Sequence, residues 1–322
     1  MIDVTKLAIG DKISNEVFLM NTCKKSEKGY KITLSNKSGT LENCNCADEF
    51  MPPEVVDNIG GAVVIKDAVV LDGLNLSLDV KIKNIENAKT GTYKPSDIFK
   101  GISEDTASAM REIIRTNVLR ITDENLRNYL RCIVTEEYLD KLSKMPATLA
   151  FHGKYRGGAL VTTAIVTNMA IQAALQYVKF PNGIYSSFID FNTLVASSVL
   201  MYIGNCEYIT SEEPFRKTLK GLDRGYMSIC QSILERKLLE SGALITEEQI
   251  SKILNILNVT VSEKTSVRAT TVEGAILRHC YKLYSEMDLY DSGMADHEPK
   301  EGEDYYYDPK LKRYILSVKE VA

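Results

Sequence analysis

Four lysines and two aromatic residues near the start of the chain have the side-chain types that a nucleic-acid site needs. The lysines are Lys24, Lys25, Lys28 and Lys31, and the aromatic residues are Phe18 and Tyr30. Ammonium groups neutralise phosphates and flat rings stack on bases, so this pairing predicts a groove for single-stranded RNA or DNA. The same residues also fit an exposed hairpin kept soluble by its lysines, with both rings in a core.

Cysteine and histidine usage offers little metal chemistry. Cys44 and Cys46 form a C-x-C pair, but no second pair of soft ligands follows, so we expect buried thiols and no metal or cofactor. The seven scattered cysteines are typical of a reducing compartment, and the first residues lack a secretory pattern. We therefore expect a cytoplasmic protein.

Overall composition limits the classes of partner. A net charge of -4 argues against a chain wrapped in nucleic acid, although a local basic patch remains compatible with it. Residues 157 to 178 contain no charged side chain, but threonine, asparagine and glutamine interrupt the segment. We interpret it as a buried helix of a soluble protein and expect no contact with a membrane.

The elements that must position these residues change character along the chain. Up to about residue 88, apolar and polar residues alternate between glycine turns, which predicts about five short strands and a small barrel of the OB type. From residue 103 onward, Ser103 is a candidate helix cap and apolar residues recur with helical spacing. The prediction is an α+β multidomain protein, with a barrel followed by an all-α domain.

Three segments of the helical part carry a resemblance to a known family. They are "HGKYRGGALVTTAI", "LVASSVLMYIGNCEY" and "TTVEGAILRHCYKLYSEM". They resemble the HD-domain hydrolases, and the whole chain resembles the YhaM-type 3′–5′ exoribonucleases, which join an N-terminal OB-fold to a C-terminal HD domain. The resemblance implies four segments: a barrel at 1–90, a helical connector at 91–145, an HD-like domain at 146–290 and an acidic, aromatic tail at 291–322.

The metal ligands of that family do not carry over to this chain. The positions that match them hold Thr162, Met201, Tyr202 and Tyr281. The positions that survive are structural in kind: His152, Tyr155, Gly157, Gly158, Gly204, Glu207 and Glu273. Threonine, methionine and tyrosine do not provide the ligand field of a divalent cation, so the resemblance implies a pseudoenzyme.

Three hypotheses about function follow. The first is an inactive nuclease homologue that binds single-stranded RNA or DNA through its barrel, with Arg156 and Arg224 as further phosphate contacts. The second is a structural or interaction scaffold with a protein partner, for which a homo-oligomer is plausible. The third is an active exonuclease with a site rebuilt from the candidate ligands His152, Glu207, Glu273 and His279.

Overall fold

The computed structural model describes residues 2–73, 78–89, 91–93, 98, 101–149, 151–178, 189–211, 215–261, 268–295, 305–308 and 313–316. The chain forms two compact units, Met1–Gly101 and Ile102–Ala322. The first is a β-barrel and the second is built almost entirely from helices, so the architecture combines a barrel with a helical region as predicted.

The barrel unit contains six strands, one short α-helix and two 3-10 turns, Val4–Lys6 and Asp48–Phe50, among its described residues. In chain order the strands and the α-helix are β1 (Lys12–Ile13), β2 (Glu16–Ser26), β3 (Gly29–Asn36), β4 (Gly39–Cys46), α1 (Pro53–Val56), β5 (Ala62–Asp72) and β6 (Leu78–Asn87). Strands β2, β3 and β4 form an antiparallel meander, β4 pairs in parallel with β6, and β5 pairs antiparallel with both β6 and β2. Five strands therefore close on themselves, and β1 extends the barrel along β5.

Alternation along the strands fills the barrel with apolar side chains. On β3, Ile32 and Leu34 are buried while Lys31 is exposed. Each fully buried aliphatic side chain contributes about 1.5–3 kcal/mol relative to leaving it in water. The two-residue turn between β2 and β3 ends at Gly29, whose φ is +126° and where a Cβ would lie 2.3 Å from the carbonyl oxygen of Cys46. This turn therefore requires glycine.

The helical unit contains ten helices and one hairpin among its described residues. The helices are α2 (Glu104–Leu119), α3 (Glu124–Ile133), α4 (Glu136–Lys144), α5 (Gly158–Val178), α6 (Phe191–Val199), α7 (Asn205–Tyr208), α8 (Leu219–Arg224), α9 (Tyr226–Ser241), α10 (Glu247–Val261) and α11 (Val272–Ala295). The hairpin strands are β7 (Tyr305–Asp308) and β8 (Arg313–Leu316). The side chain of Ser103 caps α2 by accepting a hydrogen bond from the Thr106 amide at 3.1 Å, as predicted.

Helix α5 lies in the middle of the helical unit and packs against α2, α4, α6 and α11. It is the one described helix that is long and apolar enough to cross a membrane, and 67% of its most apolar window is buried by the rest of the unit. The core helix of a soluble protein meets the same criterion. A buried polar side chain can find its partner within the helix itself: the hydroxyl of Thr163 donates to the Ala159 carbonyl at 2.8 Å.

Two segment boundaries differ from those that the resemblance implies. Helices α2 to α4, which fall in the expected connector, bury Ile114, Leu130 and Leu139 in the same core as α5. They pack as part of the helical unit because their apolar faces need this cover. At the other end, α11 continues to Ala295, and Arg313 of the hairpin donates to Glu286 at 2.9 Å on that helix.

Candidate nucleic-acid interface and buried tyrosine cluster

The β2–β3 hairpin places two of the predicted lysines directly opposite each other. Lys24 pairs with Lys31, and both side chains are exposed. Directly paired residues point to the same face of a sheet, so the two ammonium groups lie side by side on the outside of the barrel. Neither lysine forms an ion pair with any residue that the structure describes. Like charges in this position repel, so a bound polyanion would relieve a cost that the free protein carries.

Strands β4 and β6 extend this pair into a row across the barrel. Lys31 pairs with Asn45, which in turn pairs with Lys81, and both partners are exposed. We call Lys24, Lys31, Asn45 and Lys81 the lysine row. Neighbouring strands lie about 4.8 Å apart, so the row covers about 14 Å. Three cations and one amide therefore face solvent along one line across four strands.

Sequence reasoning missed Lys81, and one signal could have drawn attention to it. In the segment "DVKIKNI", Lys81 and Lys83 alternate with Val80 and Ile82, which are buried. This alternation already predicts that both lysines point outward. Their neighbourhood follows only from the parallel pairing of β4 with β6, which joins residues more than thirty positions apart.

Lys25 and Lys28 have different surroundings from the row. Lys28 is exposed in the turn between β2 and β3. Lys25 forms an ion pair with Asp48, and its Nζ lies 4.3 Å from the centre of the Tyr30 ring. The hydrogen bond to Asp48 raises the pKa of Lys25. This cation already has partners in the protein, so Lys28 is the freer of the two for an external phosphate.

The two predicted stacking residues do not both reach solvent. Phe18 points into the barrel and is 0% exposed, so the predicted stacking role of Phe18 is wrong. The reason is the pleat of β2, which places Phe18 and Met20 together on the inner face. Tyr30 is half-buried against the barrel core, and Lys25 covers its ring. A base could stack on Tyr30 only if Lys25 moved aside.

The two predicted arginines belong to the helical unit. Arg156 is half-buried in the turn before α5, where its carbonyl oxygen accepts a hydrogen bond from the Ile102 amide at 3.2 Å. Arg224 is exposed and is the last residue of α8. A role of either guanidinium group in phosphate binding stays a prediction.

Two of the positions that the resemblance matches to metal ligands, Tyr202 and Tyr281, contact one buried histidine. The Nε2 atom of His152 lies 3.2 Å from the Oη atom of Tyr202. The ring of Tyr281 meets that of His152 edge-on, with centres 5.1 Å apart. The phenol of Tyr281 is also close enough to that of Tyr202 to raise the pKa of Tyr202 beyond the effect of burial. A phenol thus takes the hydrogen bond that His152 needs in the core.

We call His152, Tyr202 and Tyr281 the buried tyrosine cluster. Thr162 and Met201 complete its surroundings. The fully buried Thr162 hydroxyl faces the phenols of Tyr202 and Tyr284, yet none of its contacts reaches full hydrogen-bond geometry. Met201 is also fully buried, and its carbonyl oxygen accepts a hydrogen bond from Tyr226 at 2.6 Å. Methionine here is a core residue, and its neighbour Tyr202 is the one that points at His152.

Two turns bring these side chains together. The sequence predicts a helix through residue 203, but α6 ends at Val199, and residues 200–204 form a turn that carries Tyr202 to His152. On the other side, the loop that holds His152 approaches the start of α5 so closely that a Cβ on Gly158 would lie 2.1 Å from the carbonyl oxygen of Gly153. Asp288 of α11 fixes the same loop by accepting from the Gly153 amide at 2.8 Å.

Burial decides the protonation of this cluster. It lowers the pKa of His152 to about 4, and the carboxylate of Asp288 opposes this shift only in part. It also raises the pKa of Tyr202 well above its ordinary value, with Tyr281 adding to the effect. At neutral pH the imidazole and the phenol are both uncharged, and the carboxylate that acts on His152, Asp288, already accepts from the Gly153 amide.

These residues do not fit the divalent cations of the HD family. Such cations prefer carboxylates and imidazoles, whereas Thr162, Tyr202 and Tyr281 provide hydroxyls around one imidazole that is already bonded.

The rebuilt site of the third hypothesis does not assemble either. Glu207 accepts hydrogen bonds from Lys220 and Arg236, and Glu273 accepts one from the Asp190 amide at 2.7 Å. Across the residues that the structure describes, no group of three or more candidate ligands comes together. The expectation that His152, Glu207, Glu273 and His279 form one site is therefore wrong.

Comparison with known proteins identifies no match for this chain. No protein-family model matches the chain, and neither a curated protein nor a solved structure matches it significantly.

Proposed function

We propose that this chain is a binding protein without catalytic activity, and that its barrel binds single-stranded RNA or DNA. The observation that carries the proposal is the lysine row, in which Lys24 and Lys31 face each other without a carboxylate partner among the described residues. A protein gains no stability from this arrangement. A phosphate chain that crosses the row would neutralise it and release counterions.

The order of strand pairing supports an OB-fold. The meander of β2, β3 and β4, the parallel pair β4–β6 and the return of β5 to β2 form a five-stranded closed barrel, and α1 lies between β4 and β5 in the chain. OB-folds bind oligonucleotides on the face of their second and third strands. In this barrel those strands are β3 and β4, which carry Lys31 and Asn45 in the middle of the row.

The proposal is tested by charge reversal at the paired lysines. Lys24→Glu combined with Lys31→Glu should weaken binding of a labelled single-stranded oligonucleotide at least tenfold at low salt, as measured by fluorescence anisotropy. The matched control is Lys37→Glu with Lys282→Glu, two exposed lysines outside the row that change the net charge equally. Equal losses in both double variants would point to net charge alone and would overturn the assignment of the row.

For the helical unit we propose an inactive HD-like domain. The support is that two of the four positions matched to metal ligands, Tyr202 and Tyr281, contact His152, and that a third, Thr162, lies beside Tyr202. We expect the purified chain to leave a labelled single strand intact in Mn²⁺ or Mg²⁺. Shortening from the 3′ end that stops when a chelator is added would contradict this expectation.

One observation favours a scaffold as the second candidate function. The hairpin β7–β8 exposes Tyr305, Tyr307, Tyr314 and Leu316 on one face, while Tyr306 and Ile315 on the other face are buried. Exposed tyrosines are common in protein interfaces. If this were the main function, oligonucleotide binding would be absent, and the double variant of the row would behave as the wild type.

A further inference from the structure

We infer that the barrel binds the sugar–phosphate backbone of a single strand and takes little or no affinity from the bases. This inference rests on the proposed function and specifies which part of the ligand is recognised. Single-strand sites commonly combine a basic groove with exposed aromatic rings on which bases stack. The barrel presents exposed lysines in a row, and the outward faces of its described strands carry no aromatic ring.

The residues on either side of the lysine row are polar and not aromatic. Thr22 and Thr33 lie beside Lys24 and Lys31 on the same face, and the hydroxyl of Thr22 donates to that of Thr33 at 2.9 Å. Asn43 lies on the same face of β4 and is paired with Asp79. The outward faces of β2, β3, β4 and β6, as far as the structure describes them, carry no aromatic residue.

Charge defines the side of the row on which a strand would lie. Asp79 is placed two residues before Lys81, on the side away from the β2–β3 turn, and would repel phosphate there. On the side toward the turn, the exposed lysines are Lys28 and Lys83. Glu27 in the turn is also exposed, but the two lysines outnumber it, so a phosphate chain would follow the row on its turn side.

The rings near the row are poorly placed for stacking. Phe18 is 0% exposed, and the ring of Tyr30 has Lys25 over it at 4.3 Å. Phe50 is the most accessible of the three, at 37% exposure, in the short turn Asp48–Phe50 after β4. Stacking on Phe50 is thus the competing way in which bases could contribute, and it can be tested directly.

Binding through the sugar–phosphate backbone predicts how affinity depends on base sequence and on salt concentration. Phosphates are common to all sequences, so affinity should not depend on base identity. With three row lysines on three phosphates, the slope of log K against log salt for a single strand should be about −2. Replacing Lys81 by glutamine should then reduce the magnitude of that slope by about 0.7.

The experiment compares three ligands on the full-length chain. They are a mixed-sequence DNA of about twenty nucleotides, long enough to span a site of this class, an abasic oligomer of the same length, and inorganic polyphosphate as a competitor. We expect the abasic oligomer to bind within about threefold of the mixed sequence and polyphosphate to displace both. An abasic oligomer that binds more than tenfold more weakly than the mixed sequence would overturn the inference while leaving the proposed function intact.

Two single variants distinguish the remaining outcomes. Phe50→Ala should leave the affinity for the mixed-sequence strand within twofold of wild type, whereas Lys81→Gln should weaken it and flatten its salt dependence. A tenfold loss in Phe50→Ala would show base stacking and contradict the inference. If neither oligomer binds the wild-type chain, the proposed function fails and the inference fails with it.

Discussion

His152 is a residue whose environment holds it neutral. It is 5% exposed, bonded to the Tyr202 phenol and lies edge-on to Tyr281. An imidazole in such surroundings has no room for a hydrated charge, and its pKa is lowered to about 4.

The lowered pKa predicts a loss of stability in acid. The unfolded chain takes up a proton on His152 below about pH 6.5, whereas the folded chain resists it down to about 4. The contribution of His152 is therefore fully present above pH 6.5 and is lost as the pH falls toward 4. Between pH 7.5 and 5 the loss should be roughly 2 kcal/mol.

Urea unfolding at these two pH values measures this effect. His152→Gln keeps a polar group beside Tyr202 but cannot titrate, so its stability should fall less than that of the wild type. The matched control is His279→Gln, at an exposed histidine of the same unit, which should follow the wild type. Equal losses in wild type and His152→Gln would contradict the proposed cause.

At the scale of elements, the β2–β3 hairpin has a turn whose residues suit its backbone and one unfavourable cross-strand pair of like charges. A two-residue turn ending at Gly29 fixes its register, and this register places Lys24 opposite Lys31. Directly opposed like charges cost a few tenths of a kcal/mol. We interpret this cost as retained for binding, because functional surfaces often reduce stability.

A prediction about stability follows from this pair. Lys31→Thr, with a β-branched residue suited to a strand, should raise the free energy of unfolding of the barrel by roughly 0.5 kcal/mol at low salt and weaken oligonucleotide binding. The gain should shrink at high salt, because the repulsion is screened. Thermal unfolding at both salt concentrations measures it, with Lys37→Thr as the control. A Lys31→Thr variant that is less stable at low salt would refute the account.

Elements differ in how well the sequence alone predicts them. The strands of the barrel and helices α2 to α5 follow from alternation, helical spacing and caps such as Ser103. The end of α6 at Val199 does not follow from the sequence. The residues from 200 to 203 are apolar, and an apolar run is compatible with a buried helix and with a buried turn. Likewise, "EVFLM" is apolar at four consecutive positions, so the pattern could not decide that Phe18 points inward.

At the scale of the whole molecule, the sequence indicates two units but not the composition of the candidate site. Lys24 and Lys31 are close in the chain and were predicted together. Lys81 joins them only through the parallel pairing of β4 with β6, which no local pattern encodes. The buried tyrosine cluster is similar, since α5, α11 and the turn after α6 meet there.

The parallel pair β4–β6 also has a consequence for the order of events in the cell. The lysine row is complete only after residues 78–87 have joined a meander that ends at residue 46. A growing chain that has exposed only the meander therefore presents two of the three row lysines on an open sheet. Pairing of β4 with β6 is needed both to close the barrel and to complete the row, so a ligand that binds the complete row more tightly than the open meander stabilises the closed barrel.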